Sequence, residues 1–301
     1  MNKKLRNIYA QKIAKAFINL GFLKLAKNRA LNKDHILSIY FHNPTKDEFE
    51  EMIVWLKDNG FKFISVDILK DIIYKKAPFP KGAVLITVDD GWASNVENMA
   101  KVAKQYQVPI TIFLATEAIE EGYYWFSATK KAYKQKLGYP NSEEMKKLSN
   151  SERTKLYQKL KQQTSLGERE AMTIEDIKSL KENDFVSFGA HTHSHPILPN
   201  CTNEEAAKEV QISKEKVTTW SGMEVDTFAY PNGDFGERER NILKENGFKV
   251  AFSTKATTLK KEDLKNPLAL PRLGFLEGAS REENLCRIMG IWYSRSTFKT
   301  N

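Results

Sequence analysis

Gly82-Ala83-Val84-Leu85-Ile86-Thr87-Val88-Asp89-Asp90-Gly91 is the stretch on which the fold turns. Ala83 to Val88 hold five apolar residues in six. That is the mark of a strand buried on both faces, as in a parallel sheet covered by helices. The strand runs directly into two carboxylates and a glycine. Side chains alternate along a strand, so Asp89 and Asp90 can serve one site only where the pleat ends and the backbone turns, which Gly91 permits. The carboxyl end of this strand is therefore a candidate active-site floor. Read alone, Asp-Asp-Gly also fits a solvated turn after a core strand; a second stretch about a hundred residues on decides against that.

A parallel sheet needs crossover helices, and the surrounding chain supplies them. Ile36 to Phe41 reads as a strand ending at His42, and Phe49, Met52, Ile53 and Leu56 follow at helical spacing. The helix ends through Asn59-Gly60 into a strand at Phe63, Ile64 and Val66. Similar junctions recur at Asn183-Asp184 and Asn246-Gly247, where a left-handed C-cap is cheapest, and a looser one leads through Val108 to Ile110–Leu114. Unequal intervals exclude a solenoid repeat. Helix followed by strand, repeated, predicts an α/β sheet or barrel. Residues 119–172 break the alternation and read as an insertion on the rim that carries the strand ends. Its aromatic run, Gly122-Tyr123-Tyr124-Trp125-Phe126, reads as the insertion's core, with stacking on a sugar or contact with a membrane as alternatives.

The strand Phe185–Phe188 delivers Gly189-Ala190-His191-Thr192-His193-Ser194-His195-Pro196, three of the chain's five histidines within five residues. Histidines at i and i+4 meet on one face of a helical turn, and imidazole is the commonest ligand of zinc-like metals. Three protein ligands with one open position is the usual catalytic arrangement, and a carboxylate from another strand end can be the third. Farther on, Ala206, Val210, Ser213, Val217 and Trp220 mark a helix. Thr227–Tyr230 is a strand that ends in Pro231-Asn232-Gly233, a turn that exposes backbone N–H groups able to stabilise an oxyanion, with a bare turn of no chemical meaning as the alternative.

Charge is unevenly placed. The net +9 of this 301-residue chain lies wholly in residues 1–33, which hold nine basic residues and no acidic one; the remaining 38 basic and 38 acidic residues balance. The neutral body makes nucleic acid an unexpected partner. In the basic segment Tyr9, Ile13, Phe17 and Leu20 fall at helical spacing with most lysines elsewhere around the wheel. Lysines interrupting the apolar region argue against a secretion signal. Two readings stay open: a helix lying on an anionic inner-leaflet surface, or a helix capping the domain with its lysines in water. No run of about 18 apolar residues spans a bilayer. Two cysteines, Cys201 and Cys286, exclude a disulfide framework and a thiolate metal site.

Three blocks together resemble the polysaccharide deacetylases, the NodB-homology group of carbohydrate esterases in family four. Thr87-Val88-Asp89-Asp90-Gly91 is similar to that family's Thr-Phe-Asp-Asp-Gly block. His191-Thr192-His193-Ser194-His195-Pro196 matches its His-Thr-x-Ser-His-Pro block, and Phe228-Ala229-Tyr230-Pro231-Asn232-Gly233 resembles its third. The resemblance covers roughly residues 35–275. It implies a deformed (β/α) barrel of about seven parallel strands over residues 35–301, with the helical insertion and a separate basic amphipathic segment at 1–34. It implies that Asp90, His191 and His195 hold a divalent metal, zinc first, with cobalt, nickel or iron as alternatives, and that Asp89 is the general base. Asn232 would adjoin the oxyanion, and His193, at the family's variable position, would be a solvent-facing spacer.

Two departures stand out. The arginine that orients the base in many relatives is replaced by Ala229, and the Leu-x-His block that provides the general acid reads Leu270-Pro271-Arg272. Arg272 is too basic to be the acid but can anchor substrate or orient Asp89. His42 is the remaining histidine able to face the site. The implied activity is metal-dependent de-N-acetylation of an N-acetylhexosamine in a cell-envelope polysaccharide or its lipid-linked precursor. The basic segment and few cysteines place this on the cytoplasmic side, with peripheral membrane contact through residues 1–33. Alternatives are an inactive glycan-binding module on the same fold and a hydrolase of a non-sugar amide.

Overall fold

The computed structural model describes residues 3–33, 35–163 and 165–293. The chain opens with α1 (Lys3–Asn19) and α2 (Phe22–Asn32), then runs β1 (His35–Phe41), α3 (Lys46–Asp58), β2 (Lys62–Ile64), α4 (Val66–Tyr74) and β3 (Ala83–Val88). A helical stretch from Val96 ends in α5 (Lys101–Tyr106) and leads to β4 (Ile110–Leu114). Four helices follow: α6 (Thr116–Glu121), α7 (Trp125–Lys134), α8 (Ser142–Met145) and α9 (Asn150–Gln163). The alternation resumes with α10 (Ile174–Leu180), β5 (Val186–Ala190), α11 (Asn203–Ser221), β6 (Thr227–Ala229), α12 (Glu237–Glu245) and β7 (Val250–Phe252). Two short strands, β8 (Leu259–Lys260) and β9 (Leu273–Gly274), precede α13 (Arg281–Ile288).

The sheet runs β7-β6-β5-β4-β3-β1, every neighbour parallel, with β8 antiparallel at the foot of β1 and β2 beside the lower half of β3. The gap between β7 and β1 is spanned by one stretch of chain. Leu270 bridges Phe252 of β7, and Leu273 pairs with Ile39 of β1. Seven members thus form the distorted β/α barrel expected. All six residues of β3 are buried, as the apolar run predicts, because β1 and β4 flank it and helices cover it. Parallel strands place all carboxyl ends on one rim, which is why residues far apart in sequence meet there.

Helix ends follow local chemistry. Thr45 and Glu48 form a capping box at the start of α3, and Thr173 with Asp176 does the same for α10. The Asn-Gly junctions put glycine, not asparagine, in the left-handed conformation, at Gly60 and Gly247. At the third junction no residue is left-handed; Asn183 instead donates to Ala100 O and accepts from Phe185 N.

Two expectations need correction. The basic segment is not one helix but a hairpin, broken at Gly21, whose φ of 82° a side chain would resist. The aromatic run divides: Trp125 joins Ala128, Ala132, Tyr139, Met145, Tyr157 and Leu160 in a small core of its own, Tyr124 packs into the main core, and Phe126 faces the cleft. Both cysteines are buried free thiols. No helix among the described residues is long and apolar enough to cross a membrane.

Candidate active site

The pleat of β3 ends as anticipated. Asp90 has a φ of 76° and Gly91 one of 84°, so the chain turns and both carboxylates enter the same rim. A side chain at 91 would put its Cβ 2.6 Å from Leu114 Cδ2, so the turn needs glycine. Asp89 and Asp90 are buried, at 3% and 4% exposure. Burial opposes charge on Asp90, but the imidazoles of His191 and His195 beside it outweigh that and hold the carboxyl well below its usual range.

The loop after β5 supplies the imidazoles. His191 Nε2 and His195 Nε2 lie 3.5 and 3.3 Å from Asp90 Oδ1. Among the described residues, Asp90, His191 and His195 form the one cluster able to share a metal ion, their ligand atoms within 4.8 Å of one another. His191 Nδ1 bonds Ala229 O at 2.7 Å; the carbonyl makes Nδ1 the donor and leaves the Nε2 lone pair for a metal. Trp92 Nε1 donates to the other Asp90 oxygen at 3.0 Å, orienting the carboxylate. This donor set suits a zinc-like ion.

The two histidines do not meet on a helical turn as predicted. The loop is irregular, with left-handed Thr192 (φ 64°) and His195 (φ 53°). Non-glycine residues in that region carry strain, and the surroundings must hold them there. Glu209 of α11 does so: it accepts from His193 N at 2.9 Å, Ser194 N at 2.7 Å and Ser194 Oγ at 2.6 Å. Arg153 of α9 donates to Ser194 Oγ at 2.8 Å, and Trp125 Nε1 to His195 O at 2.9 Å. His193 is no solvent-facing spacer either. It turns away from the cluster, and its Nδ1 lies 2.9 Å from Thr116 Oγ1.

Arg272 is wholly buried, which removes substrate anchoring from its two suggested roles. Its Nη1 and Nη2 meet the two Asp89 oxygens at 2.7 and 2.8 Å, Nη1 also reaches Thr87 Oγ1 at 3.0 Å, and Nε reaches Ser253 O at 3.0 Å. The Tyr40 ring lies 4.6 Å from the guanidinium carbon. Burial pushes the Asp89 carboxyl up, but the charge of Arg272 brings it below its ordinary value, so the carboxylate stays ionised. The orienting arginine missing from the third block is thus replaced from the closing strand, and the bidentate contact leaves each oxygen a lone pair.

His42 does face the cleft, as does Asn232, a left-handed residue with φ 57°. The cleft holds about 450 Å³ and is walled by Trp92, Trp125, Phe126 and Thr254. The larger cavity, about 580 Å³, lies beside Arg29, His35 and Lys260 at the opposite end of β1, away from these groups. His42 lies 3.8 Å from Glu277 Oε1, and its backbone N–H donates to the same atom at 2.9 Å. Burial disfavours charge on the imidazole, but Glu277 and the charges of Asp90 and Asp89 outweigh it and raise His42 to about 9.

With this geometry stands the comparison with known proteins. The polysaccharide deacetylase family matches residues 76–251, more than half of the chain. The chain belongs to the polysaccharide deacetylase family. The poly-beta-1,6-N-acetyl-D-glucosamine N-deacetylase of Staphylococcus aureus is 27% identical over 264 residues, spanning 83% of this chain and 77% of that protein. Among solved structures, a Streptococcus pyogenes deacetylase, PplD, in complex with acetate has a TM-score of 0.63 at 18% identity, over 85% of this chain and 98% of that one. IcaB from Ammonifex degensii has a TM-score of 0.62 at 18% identity, over 86% and 98%. The protein is a deacetylase of the carbohydrate esterase type, a hydrolase.

Sequence reasoning missed Glu209, Glu277, Trp92 and Arg153. For Glu209 a signal existed: it sits three residues after Ala206 and four before Ser213, on the buried stripe of α11, where an unpaired carboxylate would be costly. Replacing it tests the deacetylase's loop. Glu209→Ala is expected to weaken metal binding about 10–100-fold in a titration of the metal-free protein, with Glu209→Gln nearer wild type. Unchanged affinity in the alanine variant would show that the loop holds itself.

Proposed function

We propose that the deacetylase is metal-dependent and removes the acetyl group of an N-acetylhexosamine in a cell-envelope polysaccharide. The observation that carries this is the convergence of Asp90, His191 and His195 beside the buried Asp89–Arg272 pair on the rim of one open cleft. Asp90, His191 and His195 would hold a divalent ion, zinc first, which would supply Lewis-acid polarisation of the acetyl carbonyl and a lowered pKa for water. Arg272 fixes the Asp89 carboxylate so that a free lone pair accepts the proton of the attacking water. His42, held by Glu277, gives a proton to the departing amine nitrogen, the role for which the Leu-x-His block offered no residue. Asn232, on the cleft wall, is the candidate contact for the developing oxyanion. Trp92 and Phe126, both half-buried on the cleft wall, offer ring faces on which a sugar packs while excluding water.

The inactive-module alternative rested on a missing arginine and a missing histidine. Arg272 and His42 now occupy the neighbourhood of the base, which favours the enzyme. The decisive experiment is acetate release from N-acetylglucosamine oligomers before chelation, after it, and after reloading with zinc, cobalt or nickel. Loss on chelation and return on reloading are expected; full activity in chelated, metal-free protein would overturn the metal's role. We extend the reading to a glycan presented at a membrane, on the strength of the basic N-terminal hairpin. Equal acetate release from free and lipid-linked oligosaccharide overturns that extension.

The raised His42 value sets a pH dependence. Held by Glu277, the imidazolium persists above the free-histidine range, so the donor is present through neutral pH and is lost as pH rises through the raised value. By the same linkage, the stability it adds is complete below the free-histidine value of about 6.5 and disappears through about 9. His42→Asn should remove the alkaline limb from the kcat profile and lower kcat about 10²-fold. An alkaline limb that survives in this variant assigns it to another group.

A further inference from the structure

The N-terminal hairpin sits on the barrel the wrong way up for a helix that merely completes a core. At about 100° per residue, Leu5, Ile8, Tyr9, Lys12, Ile13 and Ala16 share one face of α1, and Ala10 and Ala14 occupy the opposite one. The small residues are the buried ones, at 6% and 0% exposure. The underside is fastened to α13 and the loop before it largely by polar groups. Arg6 grips Glu283 with both terminal nitrogens, Gln11 donates to Glu282, and Asn7 donates to Gly278 O. The large apolar residues point outward. Leu5, Ile8, Tyr9, Ile13 and Leu20 of α1 and its turn, with Phe22 and Leu25 of α2, make up seven of the eleven exposed large hydrophobic residues on the described chain. The other four, Ile68, Tyr74, Tyr133 and Leu137, lie apart from this patch in the sequence.

What covers this patch is indicated by charge. Residues 1–33 carry nine basic residues and no acidic one, and the rest of the chain is neutral. Lys12 lies within the apolar stripe, and Lys24, Arg29 and Lys33 are exposed on or just beyond α2. A second copy of the same face would bring these like charges together, which disfavours self-association. A bilayer with anionic headgroups satisfies both features, taking the apolar side chains into the acyl boundary while the cations stay at headgroup level.

Position links the patch to the cleft. Asn7 holds Gly278, and the adjacent Glu277 holds His42, so the first turns of α1 share a rim with the active site. We propose that the α1–α2 hairpin docks the protein on an anionic membrane surface through Leu5, Ile8, Tyr9, Ile13, Leu20, Phe22 and Leu25, and so holds the cleft beside that surface. Docking is independent of the chemistry in the cleft and is tested separately from it.

The test is flotation of the full chain with vesicles of phosphatidylcholine alone and of phosphatidylcholine containing roughly 30% phosphatidylglycerol. Binding to the anionic vesicles is expected, at least about tenfold tighter than to neutral ones and weakened by salt. Ile8→Gln/Ile13→Gln/Leu20→Gln should lose at least about tenfold in vesicle affinity. Its Tm and its acetate release from a short free oligosaccharide should not change, because these side chains touch solvent. Lys12→Gln/Lys24→Gln should weaken binding to the anionic vesicles alone, about fivefold per cation. Failure of the wild-type protein to float, or variants that float like it, overturns the proposal. So does a concentration-dependent dimer in analytical ultracentrifugation that the triple variant dissolves, since it assigns the face to a second copy.

Discussion

Asp89→Asn is expected to lower acetate release by about 10³-fold while the protein retains its metal, whereas Asp90→Ala and His195→Ala are expected to lose metal and activity together. The neighbouring carboxylates have different partners, which is why they should separate. Asp90 shares its oxygens with the two histidines and Trp92, so removing it takes away the only anionic donor of the cluster. Asp89 has both oxygens on Arg272, and the amide that replaces its carboxylate in the variant would still fill the space but could not accept a proton. Metal content measured on each purified variant beside acetate release reads the two losses independently. If Asp89→Asn released acetate at the wild-type rate, base catalysis would have to be assigned elsewhere. If Asp90→Ala kept its metal, the cluster would not be the metal site.

Arg272→Met should be the most destabilising single substitution in the site. The arginine is 0% exposed and satisfies Asp89, Thr87 and Ser253 at once. Removing it strands a buried carboxylate, and breaking one partner of such a pair costs about 3–5 kcal/mol. In thermal melts that is a Tm drop on the order of 10 °C. The second substitution separates charge from packing. Arg272→Met/Asp89→Asn should regain a substantial part of the loss, because a neutral amide is cheaper to bury unpaired than a carboxylate. A single variant as stable as wild type, or a double variant whose losses simply add, would mean that the pair does not couple. Arg272→Lys should fall short as well, since an ammonium cannot reproduce the bidentate fork or reach Ser253 O simultaneously.

Much of the barrel is legible in the sequence. The apolar run of β3, the helix periodicity from Phe49 to Leu56 and the recurring Asn-Gly junctions are local signals, and local signals report element type well. The Asp-Asp-Gly and His-Thr-His-Ser-His blocks were legible too, because each packs its functional groups within a few residues. Contacts between elements were not. Nothing near Leu270-Pro271-Arg272 says that this arginine crosses to Asp89, since that depends on the closing stretch bridging β7 and pairing with β1. Nor does the spacing of Arg153 or Trp125 announce that the insertion braces the histidine loop. The i, i+4 rule brought His191 and His195 together for the wrong reason. An irregular loop with two left-handed residues, pinned by Glu209, does what a helical turn was expected to do.

The N-terminal segment shows the same division. Its charge and apolar periodicity stand in the composition alone, and they define an amphipathic element whatever it packs on. Which side faces inward was decided by α13, whose Glu282 and Glu283 draw Gln11 and Arg6 downward and leave Ile8, Ile13 and Leu20 in the open. By itself, the sequence determined most of the barrel's strands and helices and the parallel α/β class, because these follow from patterns within one turn or strand, and its motif blocks, through their resemblance to a family, named the candidate metal-binding residues. Only the tertiary structure decided the partner of Asp89, the place of His42 and the outward face of the hairpin, because each depends on residues brought together by the closure of the barrel.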